Sequence, residues 1–214
     1  MLSEAEYRFI LQRDFYSFML LCFYHLNPQT TFLSAPHIEV IVSQLEQCRL
    51  GIIKRLIITL PPRSLKSLCA SVAFPAWFLG HHPWAQIIGV SYGQDLADKF
   101  ARDCRSVMTS DWYQRIFRTR LADRQAVADF MTTDQGGRMA TSVGGVLTGR
   151  GADLIVIDDP LKPDEALSET QRKAVNDWYD DTLLSRLNDK ANGRIVIIMQ
   201  RLHQDDLVGH VLKK

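Results

Sequence analysis

Two short stretches of the sequence place charged and hydroxyl side chains directly after apolar runs. Residues 61–67 read PPRSLKS and follow the run RLIITL at 55–60. Residues 158–160 read DDP and follow the run LIVI at 154–157. A lysine and a serine after a buried strand can neutralise phosphate oxygens and hold Mg²⁺, and a strand-ending carboxylate can complete such a site.

The stretch at 61–67 predicts a phosphate-binding loop. Its predicted phosphate contacts are Pro62, Arg63, Ser64, Leu65, Lys66 and Ser67. Lys66 is expected to neutralise the outer phosphates, Ser67 to hold Mg²⁺ through its hydroxyl, and Arg63 to supply a second cation. Against the pattern G-x-x-x-x-G-K-[ST], Leu60 and Leu65 replace both glycines, so Leu65 must adopt a glycine-like backbone geometry. The alternative is an ordinary strand-to-helix turn with an exposed lysine and a surface arginine.

The two aspartates lie where an α/β sheet binds its ligands, at the carboxyl end of a predicted strand. Asp158 is expected to join the Mg²⁺ shell, and Asp159 to polarise the attacking water. The alternative is a turn in which the aspartates cap the next helix. Because the loop and the acids each follow a predicted central strand, the catalytic interpretation is favoured for both.

Two further polar residues fit a site that hydrolyses a nucleotide. Arg150 is flanked by Gly149 and Gly151, so it is expected to be presented on a loop and to reach the γ-phosphate of a neighbouring subunit. A solvated turn arginine is the alternative. Gln200 ends the last apolar run and is expected to sense the γ-phosphate, unless its amide only bonds to backbone.

The apolar pattern predicts the elements that position these residues. Predicted strands span 55–60, 86–92, 153–158 and 194–199, and predicted helices span 66–79, 94–109 and 168–187, with a short helix from Asp205. Strands alternating with helices indicate an α/β fold with a mostly parallel sheet covered on both faces. Ser168 and Gln171 are expected to form a capping box. Glycine-rich alternation between Phe130 and Gly151 predicts a hairpin insertion.

Residues 1–50 are expected to form a helical preface of the domain whose core spans 51–214. Apolar positions recur at helical spacing over 3–26 and 36–50. The apolar segment at 15–26 is well short of the ~20 residues that cross a membrane, so no membrane contact is expected.

Composition sets limits on the partners and the chemistry. Of the 214 residues, 25 are Lys or Arg and 24 are Asp or Glu, which leaves a formal charge of +1. Any contact with nucleic acid must therefore come from a local basic face. The four cysteines form no close pairs, so they are expected to be reduced, buried thiols. The clusters at His81-His82 and 203–206 lack partners at the spacing of metal sites.

Four motifs together resemble the ATPase domain of phage terminase large subunits, the motors that package DNA into procapsids. They are PPRSLKS at 61–67, SVGGVLTGRGADLIVIDDP at 142–160, WYDDTLLSRL at 178–187 and IIMQRLHQDDLVGHVL at 197–212. The resemblance extends from about Arg55 onward. It implies an additional-strand P-loop NTPase fold that uses ATP and Mg²⁺. It also implies double-stranded DNA, the portal protein, the small terminase subunit and identical subunits in a ring as partners, in the host cytoplasm and transiently on the procapsid portal.

The resemblance assigns roles to individual residues. It matches nucleotide and Mg²⁺ positions at Lys66, Ser67 and Asp158, the catalytic carboxylate at Asp159, the trans-acting arginine at Arg150 and the coupling segment at Gln200. Many relatives carry a glutamate where this chain has Asp159, so the carboxylate here is shorter. The family usually continues into a nuclease domain, and this chain of 214 residues is expected to lack it and not to cut DNA.

Two other functions remain open from the sequence. One is a helicase-like, DNA-stimulated ATPase, which would need a second motor lobe that 214 residues do not accommodate. The other is a structural subunit that lost nucleotide binding together with both loop glycines. Retention of the lysine, the serine and both aspartates argues against this loss.

Overall fold

The strands of the protein form one sheet in the computed structural model, which describes residues 3–123, 126–147 and 149–214. They are β1 (Arg55–Thr59), β2 (Gln86–Ser91), β3 (Asp129–Met131), β4 (Gly137–Ser142), β5 (Leu154–Asp158) and β6 (Arg194–Met199). The order across the sheet is β1-β6-β5-β2-β4-β3. All neighbouring strands are parallel except β3 and β4. The prediction of a mostly parallel α/β sheet is confirmed.

Helices cover both faces of the sheet. They are α1 (Glu4–Arg13), α2 (Phe15–Leu26), α3 (Pro36–Arg49), α4 (Phe74–His81), α5 (Gln94–Thr109), α6 (Asp111–Ile116), α7 (Glu169–Trp178) and α8 (Leu207–Val211). Two π-helical segments, Leu68–Ala73 and Tyr179–Leu183, and a 3-10 turn, Leu184–Arg186, complete the described helices. The helices before β3 lie on one face, and those after β5 lie on the other.

The side chains of β5 divide between two hydrophobic clusters. Leu154 and Val156 belong to the first cluster, which also contains residues of α1 to α6. Ile155 and Ile157 belong to the second cluster, with residues of α7 and α8. A central parallel strand is buried on both faces, which is why its sequence is a continuous apolar run. The N-terminal helices are part of the first cluster, in which α3 packs against β1, and α1 and α2 pack against other helices.

The predicted helical stretch at 3–26 is two helices, because Asp14 interrupts it. Asp14 has an extended backbone (φ −108°, ψ 102°), and its carboxylate accepts from the N–H groups of Tyr16 and Ser17. Ser3 and Glu6 form a reciprocal capping box at the start of α1. Side-chain caps of this kind satisfy N–H groups that a helix leaves unpaired.

Two other predicted helices differ from an ideal α-helix. The helix predicted over 66–79 is π-helical over Leu68–Ala73 before it continues as α4. The helix predicted over 168–187 is α-helical only to Trp178. The Ser168 side chain accepts from the N–H of Gln171, which is one half of the predicted capping box, and among the described residues the structure records no return bond from the Gln171 side chain. The last helix begins at Leu207 and not at Asp205, because Asp206 is its N-cap.

The predicted hairpin is β3 and β4, and it extends the main sheet. β4 pairs with β2 in parallel, so the hairpin adds two strands at one edge. Because β4 and β5 are both parallel to β2, the chain must return from the carboxyl end of β4 to the amino end of β5. Leu147 in this connection is buried in the second cluster, so the return path follows that face of the sheet.

The remaining expectations concern thiols and the membrane. Cys22, Cys48, Cys69 and Cys104 are buried and free, as predicted. Within the described residues, none of the helices combines the length and the apolar character needed to cross a membrane.

Candidate nucleotide and metal site

The loop at 61–67 has a left-handed backbone at two of its residues. The φ angles are 61° at Arg63 and 60° at Leu65. Alternation of left-handed and other residues forms a concave nest of N–H groups that can bind an anion. For a residue with a Cβ, this conformation costs roughly 1–2 kcal/mol. Leu65 therefore has the backbone geometry that the sequence required of it, at a cost that glycine would not carry.

Side chains on both sides hold this loop in place. The Ser64 hydroxyl donates to the carbonyl of Pro61 over 2.9 Å. The Nε2 of His37, from α3, lies 3.1 Å from the carbonyl oxygen of Ser64 and can donate to it. The Leu65 side chain packs against the first hydrophobic cluster. These contacts fix the strained loop from outside.

Lys66 is buried and forms an ion pair with Asp159. The residue is 5% exposed, and its Nζ lies 3.2 Å from the Oδ2 of Asp159. Such a pair satisfies a cation that burial would otherwise penalise. The structure thus brings together two residues that lie far apart in the sequence and that the sequence predicted to share a site.

Asp158 is enclosed by hydroxyl groups from the helix that follows the loop. The Ser67 Oγ donates to its Oδ1 over 3.1 Å, and the Ser71 Oγ donates to its Oδ2 over 2.6 Å. Burial raises the pKa of Asp158 to about 7, with a further increase from Asp159, and the bonds from the serines act in the opposite direction. The carboxyl therefore lies in a setting where a cation would stabilise its ionised form.

The donor set fits a magnesium ion that is held partly by a substrate. Among the described residues, no group of three or more His, Cys, Asp or Glu side chains could hold a metal. Mg²⁺ commonly uses one or two protein oxygens together with phosphates and waters. Ser67 and Asp158 supply two such oxygens in contact with each other.

Ser71 is a site residue that the sequence analysis missed. Its hydroxyl binds Asp158 as closely as any group in the site. Ser71 follows Ser67 by four residues, and residues at this spacing share one face of a helix. That spacing was the available signal.

Asp159 joins the ends of three strands. Its φ is 44°, its N–H donates to Ile198, and its carbonyl accepts from Tyr92. Its Oδ1 accepts from the backbone N–H of Gln200 over 2.9 Å. Gln200 therefore lies beside Asp159, and the contact that the structure records is made by its backbone.

A cavity of about 510 Å³ borders the loop on the side of α2 and α5. Its lining includes the loop residues 63–67 and the apolar side chains of Phe23, Leu26 and Phe100. This volume is within the range of small-molecule sites. Asp158 and Asp159 do not line it, so Lys66 connects the cavity to the acids. Pro62 is exposed beside the loop and is not part of the lining.

Arg150 does not join the other candidate residues. It forms an ion pair with Asp129 of β3, on the edge strand opposite β1. Arg150 precedes the amino end of β5, whereas Asp158 ends the same strand, and a five-residue strand spans roughly 15 Å. Asp129 is in register with Met139, which packs on the second cluster, whereas Asp158 faces the first. Arg150 therefore lies on the opposite face of the sheet.

Comparisons with known proteins find a likeness in fold and none in sequence. No protein-family model matches the sequence, and no curated protein sequence matches it. Among solved structures, the fold is similar to that of the large terminase of bacteriophage HK97, with a TM-score of 0.52 and 13% sequence identity. The match covers 85% of this chain and 36% of that chain, so this chain spans about a third of the terminase's length. The six-stranded α/β fold around the candidate site is accordingly terminase-like.

Proposed function

We propose that this chain is an ATP-hydrolysing motor domain of a DNA-packaging terminase. The proposal depends on one observation: the loop after β1 contacts the acids after β5. Lys66 forms an ion pair with Asp159, and Ser67 donates a hydrogen bond to Asp158. The terminase-like fold and the left-handed loop give independent support. P-loop ATPases bring the same residue types together at the carboxyl ends of neighbouring strands.

Each residue has a role in this proposal. The loop N–H groups and Lys66 bind the phosphates, and Arg63 adds a cation at the cavity. Asp159 exchanges its bond with Lys66 for a water and orients that water for attack. Gln200 holds the Asp159 carboxylate through its backbone N–H. Ser67 and Asp158 hold Mg²⁺, which supplies charge neutralisation at the phosphates when it is bound.

The proposed assembly is a homo-oligomeric ring in which Arg150 acts on the site of a neighbouring subunit. The position of Arg150 on the face opposite Asp158 supports this role, because it separates the arginine from the site of its own chain. The proposed partners are double-stranded DNA, the portal protein and the small terminase subunit, in the host cytoplasm and at the procapsid portal. The similarity in fold to the large terminase of bacteriophage HK97 supports the choice of a terminase, and the partners are part of the proposal.

The second candidate is a structural subunit that binds no nucleotide. It is favoured by the ion pair that already neutralises Lys66. A triphosphate must break this pair to bind the lysine.

One measurement separates the two candidates. The affinity for a non-hydrolysable ATP analogue is determined by calorimetry with Mg²⁺ and with a chelator. Mg²⁺-dependent binding, together with release of phosphate from ATP, is expected for the motor domain. A folded protein that binds no nucleotide under either condition contradicts the motor function and leaves the structural subunit.

A further inference from the structure

A buried guanidinium lies beneath the candidate site and belongs to Arg138 of β4. Arg138 is 2% exposed, and its Nη2 donates to the backbone carbonyl of Ser71 over 3.3 Å. Its Nε and Nη1 have no acceptor in the part of the chain that the structure describes. An unpaired buried donor costs roughly 1–3 kcal/mol. A cation kept at this cost calls for an explanation beyond packing.

Gly89 of β2 provides the space for this guanidinium. A Cβ at position 89 would lie 2.8 Å from the Arg138 Nη2 and 3.3 Å from its Cζ. Arg138 is in register with Ile87, so its side chain runs over Gly89 toward the carboxyl ends of the strands. That direction leads to Asp158.

Ser71 connects Arg138 to Asp158. Its carbonyl accepts from the guanidinium, and its hydroxyl donates to the Oδ2 of Asp158. Ser71 belongs to the π-helical segment Leu68–Ala73. Ser71 therefore contacts the guanidinium through its backbone and Asp158 through its hydroxyl.

The charges around Arg138 favour this arrangement. Burial lowers the pKa of Arg138, and the Cys104 thiol and the carboxylates of Asp103, Asp158 and Asp98 act in the opposite direction. None of these acids forms an ion pair with Arg138 among the described residues. The guanidinium is thus attracted to acids on both α5 and β5 and is bonded only to the Ser71 carbonyl.

We propose that Arg138 is a positioning residue for the magnesium site: through Ser71 it fixes the Asp158 carboxylate against Ser67. This inference rests on the proposed nucleotide function of the same site. Groups that orient a metal ligand from outside typically change metal affinity or activity by 10- to 100-fold when they are removed.

The test measures the Mg²⁺ concentration at which binding of a non-hydrolysable ATP analogue is half-maximal. This concentration is the Mg²⁺ requirement of each variant. Arg138→Met keeps the aliphatic stem and removes the donors. We expect it to need at least about tenfold more Mg²⁺, while binding in the presence of a chelator stays within about twofold of wild type. Arg138→Lys, which retains the charge, should restore part of the Mg²⁺ response. Gly89→Ala should shift the Mg²⁺ requirement in the same direction, because it displaces the guanidinium without removing it.

Two further variants make the test specific. Arg172 is another buried arginine, bonded to the carbonyl of Ala166 on the second cluster, and Arg172→Met should leave the Mg²⁺ requirement unchanged. Ser71→Ala should raise it, and combining Ser71→Ala with Arg138→Met should add little, because the two act in one chain of contacts.

Each outcome bears on one claim. If wild type shows no Mg²⁺-dependent binding, the proposed function fails. If wild type shows it and folded Arg138→Met has the same Mg²⁺ requirement, the positioning role is wrong and the function stands. An equal loss of binding with and without Mg²⁺ also overturns the positioning role, since it indicates a general structural effect. If Arg138→Met does not fold, Gly89→Ala decides by the same criteria.

Discussion

The Nζ of Lys66 lies 3.2 Å from the Oδ2 of Asp159, so the loop cation and the acid after β5 neutralise each other. A triphosphate that binds the loop must take the place of this carboxylate at Lys66. The same exchange releases one oxygen of Asp159, while its other oxygen stays bonded to the backbone of Gln200. In the proposed function, nucleotide binding and activation of Asp159 are thus linked through one contact.

Lys66→Ala is expected to abolish ATP turnover. Loss of the cation removes charge stabilisation from the transferring phosphoryl group, which is worth several kcal/mol. Release of phosphate by the purified variant is the measurement, and Lys173→Ala, at an exposed lysine of α7, is the control. Near-normal turnover by Lys66→Ala would remove the phosphate-loop assignment.

The two aspartates are expected to separate by function. Asp158→Asn should weaken Mg²⁺-dependent nucleotide binding, because it replaces a ligand oxygen that Ser67 and Ser71 orient. Asp159→Asn should keep the nucleotide bound and stop its hydrolysis, and asparagine tolerates the left-handed backbone at this position. Binding and turnover are measured on both variants. If Asp159→Asn hydrolyses ATP normally, a neighbouring acid such as Glu165 or Glu169 must carry the role.

Mixing two inactive variants should restore activity if Arg150 acts in trans. Arg150→Ala subunits keep the nucleotide site, and Lys66→Ala subunits keep the arginine, so mixed assemblies contain complete sites. A trans arginine is typically worth 10³ to 10⁵ in rate, so turnover should also rise more than linearly with protein concentration. Asp129→Asn, which breaks an exposed ion pair, should retain activity. Absence of recovery where wild-type subunits associate would favour the turn arginine.

Substitution of Leu65 should reveal the cost of its backbone conformation. Leu65→Gly is expected to bind nucleotide at least as well as wild type, because glycine adopts φ 60° without strain. Leu65→Val is expected to lose binding, since a β-branched residue strongly resists this conformation. Calorimetric affinities of both folded variants test this. Equal affinity for Gly and Val would show that the left-handed geometry is not required.

Acid should destabilise the protein through His81. Burial lowers the pKa of His81 from its usual 6.5 to about 4, helped by Arg49 and His82. A lowered pKa means that the unfolded chain binds the proton more readily, so the stabilisation present above about pH 6.5 is lost as the pH falls toward 4. His81→Phe should reduce this slope in denaturant unfolding measured across that range. His25→Phe, at an exposed histidine, should not.

Much of the fold could be predicted where a local sequence pattern determines the type and bounds of an element. The strand at 194–199 and the helix at 94–109 have the predicted bounds, since a short apolar run and an amphipathic repeat are local signals. The pairing of β4 with β2 is not a local property. Alternation of polar and apolar residues predicts a strand, but it does not predict which strand lies beside it. The π-helical segment Leu68–Ala73 packs against β5, and its winding has no period of its own in the sequence.

The part of the site that could be predicted is the part whose position the order and direction of the strands determine. Parallel strands bring their carboxyl ends to one edge, so Lys66 and Asp158 could be placed together before the structure was known. His37 and Arg138 act through a backbone carbonyl, a contact that residue type does not reveal. The separation of Arg150 from Asp158 could also be predicted from the sequence. A residue that precedes a strand lies at the opposite end of that strand from a residue that follows it.

The placement of Arg150 and Asp158 on opposite faces of the sheet has a consequence for symmetry. If the arginine of one subunit completes the site of the next, each subunit contributes Arg150 from one surface and accepts the arginine of another subunit at a different surface. Such a contact is heterologous, so it cannot close into a two-fold dimer and must propagate with a direction. The assembly would then have a polarity, and a subunit without Arg150 would disable only the neighbour on one side.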